Sequence, residues 1–131
     1  MKINVTIDIS RDILESVFVT AIEGGSNYWY HIGDKAVDII REAVADKDGK
    51  AFSEMLFETV FDHGRVLPIG DIEDMNGETI GYLDRETFQE RLQKCSEENG
   101  WAIRNETEDY GDAGSSDVIF QYLALGELVY G

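Results

Sequence analysis

Apolar and polar positions along the chain fall into two periods. Lys2 to Asp8 alternates Ile3, Val5 and Ile7 with Asn4 and Thr6, the period-two pattern of a strand with one buried face. Ser10 then reads as an N-cap, with Asp12 in the first turn, and Arg11 to Glu23 places Ile13, Leu14, Val17, Phe18, Ala21 and Ile22 on one helical stripe. Gly24-Gly25 stops that helix, one of the pair in a left-handed C-terminal position. Ser26 to Ile32 is aromatic and β-prone between Gly25 and Gly33, a short strand or extended crossing. Asp34 caps a second helix to Ala45, and Asp46-Lys47-Asp48-Gly49 turns the chain. Phe52, Met55, Leu56 and Val60 give Phe52–Phe61 helical spacing, although Phe57, Thr59, Val60 and Phe61 also suit a strand.

Val66–Ile69 and Thr79–Leu83 read as strands joined by an acidic loop, with Pro68 demoting the first to an edge. Asp84 caps a helix to about Glu98 that turns Phe88, Leu92 and Cys95 inward. Residues 101–114 read as an acidic connection. Ser115 or Ser116 opens a last helix that Gly126 breaks. The sum is a single α+β domain: a small, partly antiparallel sheet packed with about four to five helices.

Composition sharpens this picture. A chain of 131 residues with 43% hydrophobic positions builds one core without staples. The single cysteine forms no internal disulfide, the N-terminal residues carry no signal-like apolar run, and no stretch is long enough to span a membrane. The expected compartment is the cytoplasm. Charge says most. Twenty-seven acids against 11 Lys and Arg give −16. Such a field disfavours nucleic acid and anionic membrane and favours a basic partner. After Arg104 there is no Lys or Arg, while Glu106, Glu108, Asp109, Asp112, Asp117 and Glu127 follow. A run of this kind is either a solvated face or a surface that engages a cationic groove.

Catalytic and metal patterns fail in turn. With Gly49 at the sixth position of a calcium loop, Val44 falls first and Met55 twelfth, where carboxylates are needed. His31, His63 and Cys95 are too few and too scattered for an ordinary zinc site. There is no nucleophile elbow and no phosphate loop, since Gly24-Gly25 follows a helix instead of preceding one. Cys95 sits at an inward helical position, where a thiol is a small hydrophobe. No cofactor is implied, and binding is favoured over catalysis.

One segment holds more polar-aromatic chemistry than a connector needs. Asn27 donates and accepts, and Tyr28, Trp29 and Tyr30 offer flat faces with polar tips. They make either a binding platform or the closure of the core around a tight turn. Thr20-Ala21-Ile22-Glu23-Gly24-Gly25-Ser26-Asn27-Tyr28-Trp29, together with the ending Asp117–Gly131 that carries Gln121-Tyr122-Leu123-Ala124-Leu125-Gly126-Glu127-Leu128-Val129-Tyr130-Gly131, resembles a family of small proteins encoded by bacteriophages and prophages. The blocks cover about twenty-five positions near the two ends; residues 33–100 align with nothing. Leu125 departs from the family pattern, which has a large aromatic before the Gly-Glu pair.

The resemblance implies a phage accessory protein. Small acidic proteins of that kind often disarm host defence, and many anti-CRISPR proteins do so by filling a positively charged nucleic-acid channel. The leading expectation is therefore a stoichiometric inhibitor of a host defence nuclease or nucleoprotein complex, a DNA mimic acting through Glu106, Glu108, Asp109, Asp112 and Asp117. Its partner is a basic host protein, with no direct nucleic acid and no membrane. The alternative is a small-molecule binder, such as a sponge for a nucleotide signal, built on Asn27, Tyr28 and Trp29. If the two blocks meet in space, Glu23, Asn27, Tyr28, Trp29, Asp117, Gln121 and Glu127 form one surface.

Overall fold

The most deeply buried helix of the chain is its axis. In the computed structural model, which describes all residues 1–131, Ala113–Leu125 forms a helix whose residues from Ser115 to Ala124 are all buried. A helix buried on every side belongs to the middle of a domain. It is the sixth, α6. Around it pack α1 (Arg11–Thr20), α4 (Phe88–Glu98), α5 (Gly100–Thr107) and the third strand, β3 (Gly81–Leu83). α2 (Asp34–Ala43) and α3 (Phe52–Phe61) form the outer layer, α3 against α1 and α2 against α3 and the sheet.

The sheet is antiparallel throughout, in the order β1 (Tyr30–His31), β2 (Leu67–Asp71), β3. The α+β reading holds, with six helices. Phe18 of α1 centres the core, its ring meeting Phe57 edge-on at 5.0 Å and Phe120 at 5.5 Å.

Several sequence expectations need correction. Residues 2–8 form no strand: Ile3, Val5 and Ile7 are exposed because no other strand of the chain lies beside them. Neither Gly24 nor Gly25 is left-handed. Instead α1 runs on as one π-helical turn, Ala21–Gly25, closed by Ser26 N–H donating to the Ala21 carbonyl at 2.8 Å. Gly25 is needed for a different reason, close approach: a Cβ there would lie 2.8 Å from the Ala113 carbonyl at the start of α6.

The aromatic strand shrinks to Tyr30–His31, and α2 is capped at Gly33, not Asp34. Strand β2 is central, yet β1 pairs only with Gly70 and Asp71 and β3 only with Leu67–Ile69. Pro68 thus has a ladder neighbour on one side alone, which satisfies the rule that misplaced the strand. The supposed connection after Gly100 is α5, which buries Ala102 and Ile103. α6 opens earlier than the serines, at Asp112. The Asp112 carboxylate accepts from Ser115 N–H while Asp112 N–H donates to Ser115 Oγ, each at 2.9 Å.

The helix ends use up cations. Gly126, at φ 81°, closes α6, and Arg91 Nη1 and Lys94 Nζ donate to the Leu123 and Gly126 carbonyls at 2.6 and 2.9 Å. Arg85 donates to the Phe61 carbonyl at the end of α3. No helix is long and apolar enough to cross a membrane.

Candidate functional site

The two end blocks of the sequence meet around one buried carboxylate. Asp117 stands one turn into α6 and is 8% exposed. Its Oδ1 accepts from Ser26 Oγ at 2.7 Å and from Trp29 Nε1 at 2.8 Å. Its Oδ2 accepts from Tyr28 OH at 2.6 Å and from Gln121 Nε2 at 3.1 Å. No Lys, Arg or His forms an ion pair with it. Four donors thus take the place of a counter-ion, the charge-assisted bonding a buried anion needs.

The π turn explains how the donors arrive. Widening the helix by one residue drops Ser26, Tyr28 and Trp29 beside α6, and Tyr30 OH donates at 2.6 Å to the Ile22 carbonyl inside that turn.

Gln121, one helical turn after Asp117, extends the network to the tail. Its Oε1 accepts from the backbone N–H groups of Val129 and Tyr130, both at 2.9 Å, and its Nε2 donates to the Tyr130 carbonyl at 3.1 Å. Tyr130 then lies flat on Trp29, ring centres 5.3 Å apart and 10° from parallel. Burial and the bond to Asp117 push the Tyr28 phenol up to about 12.

This arrangement divides the expected platform. Tyr28, Trp29, Asp117 and Gln121 do meet, but Trp29 is 1% exposed and already stacked, so its ring offers no face to a ligand. Tyr28 keeps half its surface open. Glu23, Asn27 and Glu127 are exposed and take no part in the network. Two members, Ser26 and Tyr130, were not singled out by sequence reasoning. Both lie inside the two blocks, which was the available signal.

The acidic run divides as well. Asp117 is withdrawn from any partner surface by its burial, and Asp112 is engaged as the cap of α6. Glu106 is half-buried: its Oε1 accepts from Ser115 Oγ and Ser116 Oγ, both at 2.8 Å. Glu108 and Asp109 are fully outward. Asp109 takes a left-handed φ of 61° at the end of α5.

Across from this corner lies the first turn of α1. Asp12, Ser16, Glu106 and Asp109 line an open cleft of about 360 Å³. Asp12 had been read only as a partner of the helix dipole. A smaller cleft of about 160 Å³ lies between the start of α2 and the 74–79 loop, faced by His31, Asp34, Asp74 and Glu78.

Over the whole surface the carboxylates outnumber what the chain neutralises. Asp117 is the only buried acid, and the ion pairs are Arg11 with Glu15 and Asp62, Lys50 with Glu58, and Arg65 with Glu42. No three His, Cys, Asp or Glu side chains gather in a way that holds a metal ion. Cys95 is fully buried, and burial followed by the nearby Glu98 pushes its thiol up to about 12. Comparison with protein-family models, with curated proteins and with solved structures returned no match for this chain.

Proposed function

We propose that the chain is a stoichiometric inhibitor of a nucleic-acid-binding protein, phage-encoded and directed at a host defence nuclease or its nucleoprotein complex. One observation carries the reading. Of the 27 carboxylates only Asp117 is buried, while Arg85, Arg91 and Lys94 lie against helix carbonyls and Arg11, Lys50 and Arg65 form ion pairs. Lys2, Lys35, Arg41, Lys47 and Arg104 stand exposed among the carboxylates, but the net charge of −16 gives the protein a predominantly negative field, which speeds encounter with a basic groove and repels competing nucleic acid.

The cleft beside Glu106 is the favoured contact. Glu106 is fixed there by two serine hydroxyls, and Asp12 and Asp109 stand around it, so an entering Lys or Arg meets one carboxylate that needs no rearrangement and two more within the same cleft. Glu108 extends the same corner. The resemblance of the end blocks to phage proteins supplies the biological setting.

Affinity capture from host cells, with stepped salt elution, tests the reading. A basic nucleic-acid-binding partner should be retained at low ionic strength and released as exposed charges are screened. Asp12→Lys and Asp109→Lys should each weaken retention about ten-fold. Recovery of no cationic partner, or retention indifferent to both reversals, would overturn it.

A further inference from the structure

The N-terminal segment has a strand's alternation and no strand beside it. Ile3, Val5 and Ile7 are 84, 72 and 45% exposed, although the protein has ample core elsewhere. Ile9, next in the same alternation, is packed against the core, so the apolar face of the segment runs directly into the body of its own chain. An exposed apolar edge of this kind is a pairing surface.

The occupant is written in the segment's own charges. In an antiparallel pairing of two copies about a twofold axis at Val5, Lys2 faces Asp8, Ile3 faces Ile7, Asn4 faces Thr6 and Val5 faces itself. Every apolar residue meets an apolar one and both charges meet their opposites, twice over. A parallel, in-register pairing would instead set Lys2 against Lys2 and Asp8 against Asp8. The rest of the molecule, at −16, repels a second copy, whereas residues 2–8 carry one positive and one negative charge.

We propose that residues 2–8 pair with the same residues of a second copy, forming a twofold antiparallel ribbon whose six Ile and Val side chains join the two cores at Ile9. This isologous contact is small, so the dimer forms reversibly with concentration. It is independent of the acidic cleft, and salt separates the two: the ribbon is held by apolar pairs and persists where cation binding is lost.

Sedimentation velocity from about 10 μM to about 1 mM, the range of weak association, should show a monomer passing to a dimer. Lys2→Asp should weaken dimerisation roughly ten-fold or more, because each copy contributes the like-charge pair once. Adding Asp8→Lys should restore it. Cysteine mapping reads the register: Val5→Cys should cross-link on mild oxidation, since residues opposed at the axis lie within disulfide reach. Ile3→Cys alone should not, but should cross-link to Ile7→Cys. Buried Cys95 contributes no background, and an unchanged circular dichroism spectrum verifies the fold of each variant. A monomer across the whole range, failure of the double swap to restore dimers, or equal cross-linking at positions 3, 5 and 7 would overturn the proposal.

Discussion

Replacing Asp117 by Asn changes one carboxylate oxygen for an NH2 group and tests the network at its most constrained point. The Oδ1 side survives, since an Asn carbonyl still accepts from Ser26 and Trp29. The Oδ2 side does not. There the new NH2 meets Gln121 Nε2, another donor, and Gln121 has no freedom to flip because its own oxygen holds Val129 N–H and Tyr130 N–H. Tyr28 is half open and turns its hydroxyl to water at little cost.

The Tyr28 hydroxyl, 3.3 Å from Gln121 Nε2, is then the acceptor shared by two donors, so one buried donor is left weakly satisfied, at about 1–3 kcal/mol, and the two surviving bonds lose their ionic partner. We expect a total near 3 kcal/mol for Asp117→Asn and about 4–5 kcal/mol for Asp117→Ala, which also orphans Trp29 Nε1 and Ser26 Oγ. Urea unfolding followed by far-ultraviolet circular dichroism measures this directly; the Asn variant should lose roughly 2 M in midpoint. The opposite result has a clear physical meaning. If Asp117→Asn is neutral or stabilising, the desolvation cost of the buried carboxylate exceeds what its four donors return, and the network is not what joins the two ends of the chain.

Other outcomes follow from the same structure. Gly25→Ala should cost about 1–3 kcal/mol through its collision with the Ala113 carbonyl, whereas Gly24→Ala, with open space around it, should be neutral or stabilise by up to about 1 kcal/mol; thermal unfolding of the pair distinguishes them. Stability should fall in alkali. The folded state keeps the Tyr28 and Cys95 protons up to about pH 12, while the unfolded chain releases them near their ordinary values of 10.0 and 9.0, so stability is full below about pH 9 and declines as pH rises toward 12. Denaturant midpoints across that range check the sign. In acid, the Arg11 bond that lowers the Asp62 carboxyl contributes only above the ordinary carboxylate range and is lost as pH falls through the lowered value; Asp62→Asn should flatten that part of the stability curve.

How much of this was legible in the sequence depends on where each signal resides. α1, α3 and α4 were readable because their apolar stripes recur at helical spacing over ten residues or more. α5 was not: it is 8 residues long, starts at a glycine, buries only Ala102 and Ile103, and apart from the exposed Trp101 is otherwise polar. The π turn was invisible because two adjacent glycines after a stripe read as a stop, while the actual constraint is the nearness of Ala113, some ninety positions away.

The acidic run illustrates the same limit. Composition established that carboxylates gather between positions 106 and 117, but only tertiary structure assigns Asp112 to a cap, Glu106 to two serines and Asp117 to the interior. Asp12, from the other end of the chain, completes the cleft. Periodicity in residues 2–8 was real, yet a period fixes a face and not its neighbour.

Competition on the captured nucleic-acid-binding partner would test the acidic-surface account most directly. With a labelled nucleic acid bound to that partner, wild-type protein should displace the label at one protein per site, with affinity falling as salt rises, and a variant carrying Asp12→Asn, Glu108→Gln and Asp109→Asn should lose displacement while melting as wild type does. Formation of a ternary complex that leaves the nucleic acid in place, or full displacement by the neutralised variant, would contradict it.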